Sequence, residues 1–469
     1  MVFSSLLFLF AYLPLTLLCY YVVPRRWRNV VLFLFSLLFY GWGEPVYVFL
    51  MLASITSAYL FGFLIERWRL SHPKRANWAM IASLGVNLSS LLFFKYYNFL
   101  AINLSLLPLI EIPTIASLEL PIGISFFTFQ IMSYTIDVYR RDCEVQKNYV
   151  AFGTYVTLFP QLIAGPIVRY REVDHALTTR VETVDDFSAG VSRFCVGLAK
   201  KVLVGDMLAA GYEYYKGLTV LAPTSLGAWL TVILYTLHLY YDFSGYSDMA
   251  IGLGKMFGFH FPENFNYPYI SKSITEFWRR WHISLSTWFR EYVYIPLGGN
   301  RRGKARQYLN LAVVWLLTGF WHGANWNFVL WGVYFLVILI LEKAFLLKAL
   351  ERLPAILRHL YALLLIVIGF LIFSYTDASA GLSCLGAMFG VGVQGFSSPV
   401  ATYQLLRYLP LLVLAAVGAT PLPRRLWVRL RARHSWSAVL VPLLCACVIL
   451  LSTAYLVDST FSPFAYTQF

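Results

Sequence analysis

The chain is 469 residues long, and its composition excludes a soluble globular protein. Hydrophobic residues make up 59% of it and charged residues only 13%, with a mean hydropathy of +0.65. Soluble chains carry roughly 25% charged residues, so too little polar surface remains here to keep this chain in water. The formal net charge is +14, but the cations lie in short segments between apolar runs. That pattern is typical of cytoplasmic loops that face anionic lipid, and some of these cations could attract an anionic substrate.

The N-terminal apolar run, residues 2–23, predicts a first membrane span that is retained. No basic segment precedes the run and no clear small-residue cleavage site follows it, whereas a removed signal peptide has both. Basic loops at 24–28 and 67–75 enclose two further apolar runs, at 29–42 and 45–65. Because basic loops favour the cytoplasm, we expect the N-terminus to lie on the outside.

The remaining apolar runs predict an all-α polytopic membrane protein with about 11 spans of roughly 20 residues each. Glycine and proline interrupt several runs, which favours additional re-entrant segments. No long polar segment divides the chain, so we expect one integral-membrane domain over residues 1–469. The six cysteines contain no CxxC pair, which favours buried thiols over a disulfide framework or a zinc site. The predicted spans beyond residue 65 are 78–98, 100–118, 119–139, 150–168, 188–212, 224–241, 245–258, 308–320, 324–346, 357–376, 404–420 and 436–457.

Residues 274–290 predict one amphipathic helix that lies in the membrane interface. A helix with an apolar face and a basic face lies in the interface more readily than it spans the bilayer. A surface anchor would explain this pattern without chemistry, but it would not explain His282 at the edge of the apolar face. The apolar face comprises Ile274, Phe277, Trp278, Trp281, Leu285, Trp288 and Phe289, and the opposite face Glu276, Arg279, Arg280 and Arg290.

His322 is the strongest candidate for a catalytic residue. It follows the apolar run 309–320, and ionisable residues at membrane depth are costly, so they tend to face a cavity and serve function. Imidazole is the side chain best suited to proton transfer near neutral pH. A histidine that is hydrogen-bonded within a helix bundle explains the position equally well. Gly319 and Gly323 would permit close approach of backbone or ligand.

Polar residues also interrupt other apolar runs. Asp242 and Asp248 require partners if they are buried, and we expect Arg279 and Arg280 to provide them. Ion pairs that hold helices together are the favoured interpretation, although Asp242 and its neighbour Tyr241 could also line a substrate site.

Helix breaks are expected at 121–126 and 161–166, where glycine and proline recur, and Gln161 could point into a cavity. His238, within a span, is expected to be structural. The chain contains no Walker loop, HExxH helix or GxSxG elbow. This disfavours an ATP-driven pump, a zinc metalloprotease and an α/β-hydrolase.

Four segments in the middle half of the chain carry a distinctive family pattern. They read PIGISFFTFQIMSYTIDVYR at 121–140, FPQLIAGPIVRYRE at 159–172, a long segment from YYDFSGYSDM to LGGNR at 240–301, and GFWHGANWNFVLWG at 319–332. The combination WRRWHISLS, LGGNR and WHGA, in this order and spacing, is highly specific. These segments resemble the membrane-bound O-acyltransferase family. The branch that acetylates alginate and other bacterial polysaccharides is the most similar, and the teichoic acid D-alanyl transfer protein is more distant.

The resemblance implies a helical bundle around a funnel or tunnel that is thin at the catalytic centre, with a motif-rich catalytic region near 119–332. It implies that His322 matches the catalytic histidine and His282 the second functional position. One departure is visible, because relatives often carry an arginine where Ser374 follows Phe373 here. The residues expected to bind substrate are Arg279, Arg280, Trp278, Trp281, Ser286, Asn325, Tyr241, Asp242 and Gln161.

The resemblance further implies acetyl-CoA as a donor that approaches from the cytosol, with no bound cofactor or metal. His322 would act as general base on an acceptor hydroxyl, and His282 would orient the donor or stabilise the oxyanion. The acceptor would be an extracellular polysaccharide such as alginate, reached directly or through an extracytoplasmic acetyltransferase partner, with no nucleic acid involved. We expect a multi-pass protein of the bacterial inner membrane. The cations expected to attract the donor are Arg279, Arg280, Arg290, Arg301, Arg302 and Lys304.

Two other classes of protein stay open at the level of sequence. A polytopic transporter or flippase would move its substrate without any thioester donor. A scaffold of a secretion complex would tolerate the loss of His322. Two histidines that face one cavity would favour the enzyme, whereas a continuous pore without them would favour transport.

Overall fold

The computed structural model describes residues 1–107, 110–434 and 436–458, apart from the side chains at 437 and 438, and every regular element in these ranges is helical. The predicted all-α class is confirmed. The chain divides into two compact units. One comprises Met1–Phe194 and Tyr246–Pro262, and the other Cys195–Gly245 and the described residues from Glu263 onward. The single domain expected from the sequence stays a prediction, because compact units and independently folding domains are different properties.

In the first unit, helices begin where the sequence provides a break. Gly123 precedes one helix in the left-handed region with φ +75°, and a Cβ there would lie 2.7 Å from the carbonyl oxygen of Leu162, so the break predicted at 121–126 is confirmed. Asn148 caps another helix by accepting a hydrogen bond from the backbone N–H of Ala151. The helices are α1 (Leu13–Val22), α2 (Arg28–Gly41), α3 (Tyr47–Trp68), α4 (Pro73–Leu104), α5 (Ile124–Arg140), α6 (Tyr149–Thr157), α7 (Phe159–Leu162) and α8 (Tyr170–Thr179).

Two helices run across the boundary between the units in sequence, α9 (Val184–Leu198) and α11 (Ser225–Met256). Short π-helical segments extend several helices, including Phe8–Tyr12, Ala199–Gly205, Arg290–Tyr294 and Glu342–Leu346. The remaining helices are α10 (Asp206–Leu221), α12 (Ile274–Trp278), α13 (Ile283–Phe289), α14 (Lys304–His322), α15 (Trp326–Leu341), α16 (Leu347–Glu351), α17 (Ala355–Ser374), α18 (Ala378–Met388), α19 (Pro399–Gly418), α20 (Leu422–Arg433) and α21 (Ser437–Asp458).

Among the described residues, six helices are long and apolar enough to cross a membrane. They are Tyr47–Trp68, Pro73–Leu104, Trp326–Glu351, Ala355–Ser374, Pro399–Gly418 and Val439–Asp458. The helix in the N-terminal run, Phe8–Val22, is apolar but shorter. The protein is therefore a multi-pass membrane protein, whereas the count of about 11 spans, at roughly 20 residues each, is not confirmed.

Two predicted pairs of spans are wrong. The runs 224–241 and 245–258 form one helix, α11, of 32 residues. The intervening glycine, Gly245, does not break it, because a Cβ there would lie 2.8 Å from the carbonyl oxygen of Gly197 and the residue therefore serves close packing. The predicted runs 78–98 and 100–118 share α4, which ends at Leu104, and the described residues of 110–118 are not helical.

The single interfacial helix predicted over 274–290 is also wrong. Helix α12 ends at Trp278 and α13 begins at Ile283, with four residues of turn between them. Helical periodicity continues through the turn in the sequence, so only tertiary contacts reveal the break. His282 lies at the end of this turn with φ 46° and ψ 54°, a left-handed conformation that no helix contains.

Helices α14 and α15 form an antiparallel pair whose backbones touch. A Cβ on Gly319 would lie 2.5 Å from the carbonyl oxygen of Phe328, and a Cβ on Gly332 would lie 2.6 Å from that of Trp315. A Cβ on Gly323 would meet the Phe328 ring at 2.2 Å. The close approach expected from Gly319 and Gly323 is confirmed, and small residues of this kind are typical of packed membrane helices.

We predict that Gly332→Ala destabilises the protein by about 1–3 kcal/mol, because an added methyl group must push two backbones apart. Gly217→Ala in α10 is the matched control, since a Cβ there has open space around it. Thermal unfolding of both variants in the same detergent would measure the difference. Equal midpoints for the two variants would contradict the tight contact.

Candidate active site

A cavity of about 1060 Å³ lies in the second unit. It is lined by α12, the turn after it, α13, the loop at 294–302, α14 and the end of α15. Both His282 and His322 are among its lining residues, and we call it the histidine cavity. This volume slightly exceeds the usual upper range of small-molecule sites, roughly 300–1,000 Å³, so a large ligand fits.

His322 is the last residue of α14 and is only 6% exposed. Its imidazole ring packs edge-to-face against three aromatic rings, with centroid distances of 4.9 Å to Trp331, 5.0 Å to Trp321 and 5.3 Å to Phe373. The chain after it turns away in an extended conformation at Gly323, with φ −175°. The imidazole therefore lies at the end of a long helix and is packed among aromatic rings.

His282 reaches the same cavity from a different element. It precedes α13, is 2% exposed, and its ring packs at 4.8 Å against Phe243 and at 5.9 Å against Trp321. Its Nδ1 lies 3.2 Å from the amide oxygen of Asn264. Burial lowers the pKa of His282 to about 3, so the ring is neutral at physiological pH.

Five cationic side chains line the histidine cavity, namely Arg279, Arg290, Arg301, Arg302 and Lys343. All are exposed, in contrast to the two histidines. Burying a charge without a partner is costly, which explains why the cations lie at the water-facing part of the cavity and the imidazoles at its buried part. The resulting gradient suits a ligand with an anionic end and an uncharged reactive end.

The loop that carries Arg301 and Arg302 depends on two glycines. Gly298 and Gly299 have φ +105° and +56°, in the region that favours glycine. The side-chain amide of Asn310 donates to the carbonyl oxygen of Gly299 at 2.9 Å, which ties the loop to α14. The LGGNR motif therefore holds two arginines beside the histidine cavity.

Three further predicted site residues, Trp278, Trp281 and Ser286, line the same cavity. The Trp278 ring lies 4.9 Å from both the Trp315 and the Phe335 rings, so an aromatic wall adjoins α12. The Ser286 hydroxyl donates to the Trp278 carbonyl oxygen at 3.3 Å, which joins α13 to α12 across the turn.

Three other predicted residues do not line the cavity. Arg280 pairs with Glu276 at 2.9 Å, one helical turn earlier, and Lys304 begins α14 outside the lining. Asn325 caps α15 by accepting from the backbone N–H of Asn327. Their roles toward the substrate stay predictions.

The expected partners of the two aspartates are wrong. Asp242 pairs with Lys201 at 2.9 Å, and Asp248 pairs with Arg193 at 2.6 Å. The tertiary fold brings these cations from neighbouring helical segments, which their distance in sequence conceals. Lys201 also pairs with Asp206, so one buried lysine bridges two carboxylates.

Tyr241 and Gln161 also have structural partners. The Tyr241 hydroxyl donates to the carbonyl oxygen of Ala415 at 2.7 Å. Gln161 belongs to the first unit, where its buried side-chain amide donates to the carbonyl oxygen of Tyr155. His238 contacts the carbonyl oxygen of Gly205 through Nδ1 at 3.0 Å. Binding of substrate by Tyr241, Asp242 and Gln161 stays a prediction.

Thr318 and Lys343 also line the cavity, and neither was predicted as a site residue from the sequence. Thr318 precedes His322 by four residues, so helical spacing already indicated that the two share a face. Lys343 ends an apolar run, and nothing in its spacing pointed to a site. Within the described part of the chain, no group of three or more His, Cys, Asp or Glu side chains could hold a metal ion.

Comparison with known proteins agrees with this geometry. Residues 143–385 match the model of MBOAT, the membrane-bound O-acyltransferase family. The chain is 44% identical to the probable alginate O-acetylase of Azotobacter vinelandii, over 84% of this chain and 79% of that one. It is 39% identical to the probable alginate O-acetylase of Pseudomonas putida over the full length of both, 100% of each. The peptidoglycan O-acetyltransferase of Helicobacter pylori is 34% identical, over 85% of this chain and 81% of the relative.

The chain belongs to the membrane-bound O-acyltransferase family, and the protein is an O-acyltransferase. Its relatives include enzymes named for alginate and for peptidoglycan acetylation. The family predicted from the sequence is confirmed, and family membership sets aside the transporter and scaffold alternatives.

We predict that Lys201→Met destabilises the protein by about 3–5 kcal/mol, because it leaves two buried carboxylates without a counter-charge. Lys348→Met, at an exposed position, is the control. Thermal unfolding in detergent would measure both. Thermal unfolding together with enzyme kinetics decides the role of Asp242, because an Asp242→Asn protein with normal stability and a raised KM for substrate would indicate substrate binding instead of structural pairing.

Proposed function

We propose that the protein transfers acetyl groups from acetyl-CoA to hydroxyl groups of an extracellular polysaccharide, in the histidine cavity. The observation that carries this proposal is one cavity that combines two buried imidazoles with five cationic side chains. An acyl-CoA has the matching polarity, with phosphates at one end and a neutral thioester at the other. The relatives named for polysaccharide acetylation support acetyl as the acyl group and a glycan as the acceptor.

His322 is the proposed general base. A neutral imidazole nitrogen takes the proton of the acceptor hydroxyl as the oxygen forms its bond to the thioester carbonyl carbon. The carbon–sulfur bond then breaks, and the departing thiolate takes the proton back from the imidazolium, which yields the ester and free thiol. The aromatic rings around His322 exclude water, and this protects the thioester from hydrolysis.

The cations of the cavity are proposed to bind the donor phosphates. Arginine forms paired hydrogen bonds with phosphate oxygens, and a cluster of like charges also attracts an anion before contact. Arg301 and Arg302 are held by the glycine turn, while Arg279 and Lys343 approach from other elements. This arrangement supports entry of the donor from the cytosolic side of a bacterial inner membrane, where acetyl-CoA is available.

Two orders of transfer fit this site. The acetyl group passes directly to a polysaccharide hydroxyl that reaches His322, or it passes first to an extracytoplasmic acetyltransferase that modifies the polymer. In both orders the acyl group crosses the membrane and the donor does not. The chemistry at His322 is the same, because each acceptor presents a hydroxyl to the thioester.

We predict that His322→Ala lowers the acetyl content of the polysaccharide to background, because no other group replaces the base. His72→Ala, at an exposed histidine, is the control and is expected to acetylate normally. Acetyl content in cells that express each variant to the same membrane level would be measured. Normal acetylation by His322→Ala would exclude the base assignment.

The donor site is tested with the double variant Arg301→Gln/Arg302→Gln. We expect the KM for acetyl-CoA to rise about three- to tenfold, as the loss of two exposed charge contacts of up to about 1 kcal/mol each implies, with little change in kcat. Arg25→Gln/Arg26→Gln, in a basic segment elsewhere, is the matched control.

Acetyl-pantetheine, which lacks the nucleotide phosphates, serves as a second donor in the same assay. The rise in KM caused by the double substitution should be absent with this donor, because the arginines then have no nucleotide phosphate to contact. An equal rise in KM for both donors would show that the arginines act on the fold of the loop and not on phosphate.

A further inference from the structure

The turn that presents His282 is strained. A non-glycine residue in the left-handed region costs roughly 1–2 kcal/mol, and His282 adopts φ 46°. Such a conformation persists only where its surroundings hold it. Asn264, which is fully buried, provides several of the hydrogen bonds at this point.

Asn264 binds the two residues that directly follow His282. Its backbone carbonyl oxygen accepts from the N–H of Ile283 at 3.0 Å. Its side-chain oxygen accepts from the backbone N–H of Ser284 at 3.2 Å and from the Ser284 hydroxyl at 2.9 Å. One residue therefore receives hydrogen bonds from the first two positions of α13.

These contacts also determine which way the Asn264 amide faces. A backbone N–H can only donate, so the side-chain atom that receives it from Ser284 is the oxygen and not the nitrogen. The same oxygen lies 3.2 Å from Nδ1 of His282. Because an amide oxygen can only accept, Nδ1 must carry the proton, and in the neutral ring the lone pair lies on Nε2.

We propose that Asn264 is the positioning residue of His282, which it holds in the left-handed turn and in the tautomer whose Nε2 accepts hydrogen bonds in the histidine cavity. The proposal rests on the proposed function in one respect, namely that acyl transfer takes place in this cavity. The tautomer itself follows from the hydrogen bonds of Asn264.

This tautomer decides between the two roles expected for His282. Stabilising a tetrahedral oxyanion requires a hydrogen-bond donor, and a neutral ring with its proton on Nδ1 offers none at Nε2. Orienting the donor requires only an acceptor. Nε2 of His282 would therefore receive an amide N–H of the pantetheine arm and hold the thioester toward His322.

The His282 ring contacts aromatic and amide groups. The rings packed on it, Phe243 and Trp321, are uncharged, and Asn264 is neutral. The titratable or charged residues that share the cavity lining are His322, Arg279, Arg290, Arg301, Arg302 and Lys343. Burial keeps the pKa of His282 low, at about 3, so the accepting form is populated throughout the neutral range.

The test is Asn264→Asp, assayed for acetyl transfer from acetyl-CoA in proteoliposomes between pH 4.5 and 8. Aspartate keeps the accepting oxygens for Ser284, but its carboxylate next to Nδ1 favours the imidazolium and raises the pKa of His282. The protonated ring cannot accept at Nε2, so activity is lost at low pH and recovers as pH rises above the raised pKa. One adjacent carboxylate raises a pKa by about one to three units. Because the pKa of His282 in the wild type lies below the assayed range, at about 3, we expect the acid limb of the variant to move upward, measured as a ratio of its kcat/KM to that of the wild type that falls toward pH 4.5 and is constant near pH 8.

His282→Gln alone and combined with Asn264→Asp are the matched controls, because glutamine keeps an accepting oxygen but does not titrate. The upward shift should be absent from the double variant. A folded Asn264→Asp protein with an unmoved acid limb, or a shift that persists in the double variant, would overturn the proposal.

The tautomer has a readout that does not depend on activity. The measurement is ¹⁵N NMR of the wild-type protein with labelled histidine, in which the His282 signal is identified by its absence from His282→Gln. At pH 7 this signal should show a protonated Nδ1 and an unprotonated Nε2. The opposite assignment would overturn the role of Asn264 even if acetyl transfer is confirmed. The expected assignment in a protein without transfer activity would instead contradict the proposed function alone.

Discussion

The backbone contact between α14 and α15 is the constraint on which the site depends. Gly319 and Gly332 let the two helices approach until a Cβ of either would collide with the other backbone. Helix α14 ends three residues after Gly319, at His322. The neighbouring helix then supplies Trp331, whose ring packs on the imidazole at 4.9 Å. The close contact at these two glycines thus packs the helix that ends at His322 against the helix that carries Trp331.

The positions of charged side chains in the second unit follow the free-energy cost of burying a charge. Cations lie at the exposed part of the histidine cavity, whereas the imidazoles lie at its buried part. The buried lysine, Lys201, carries two carboxylates beside it, Asp206 and Asp242. This buried charge is therefore paired within the protein, whereas the cations that line the cavity are exposed.

The two histidines are held by different backbone elements, which suits the different roles proposed for them. His322 ends a long helix, whereas His282 occupies a strained turn that is tied to Asn264. The Trp321 ring contacts both imidazoles, at 5.9 Å and 5.0 Å, so the two lie on one aromatic partner. The proposed base must be able to take and return a proton, whereas the residue proposed to orient the substrate must hold one tautomer.

The sequence by itself determined the membrane class, the all-α fold and the family, because hydropathy and compact motifs are local properties of the chain. It also pointed to the two histidines that the structure places at one cavity. It also indicated the close packing at Gly319. Tertiary structure alone decided where α12 ends, which cation neutralises Asp242, and that Asn264 binds the turn of His282. Each of these depends on groups that are distant in sequence and meet only after folding. Helical periodicity continues through the broken turn at 279–282, and the hydrogen bonds that break it come from a segment that precedes α12.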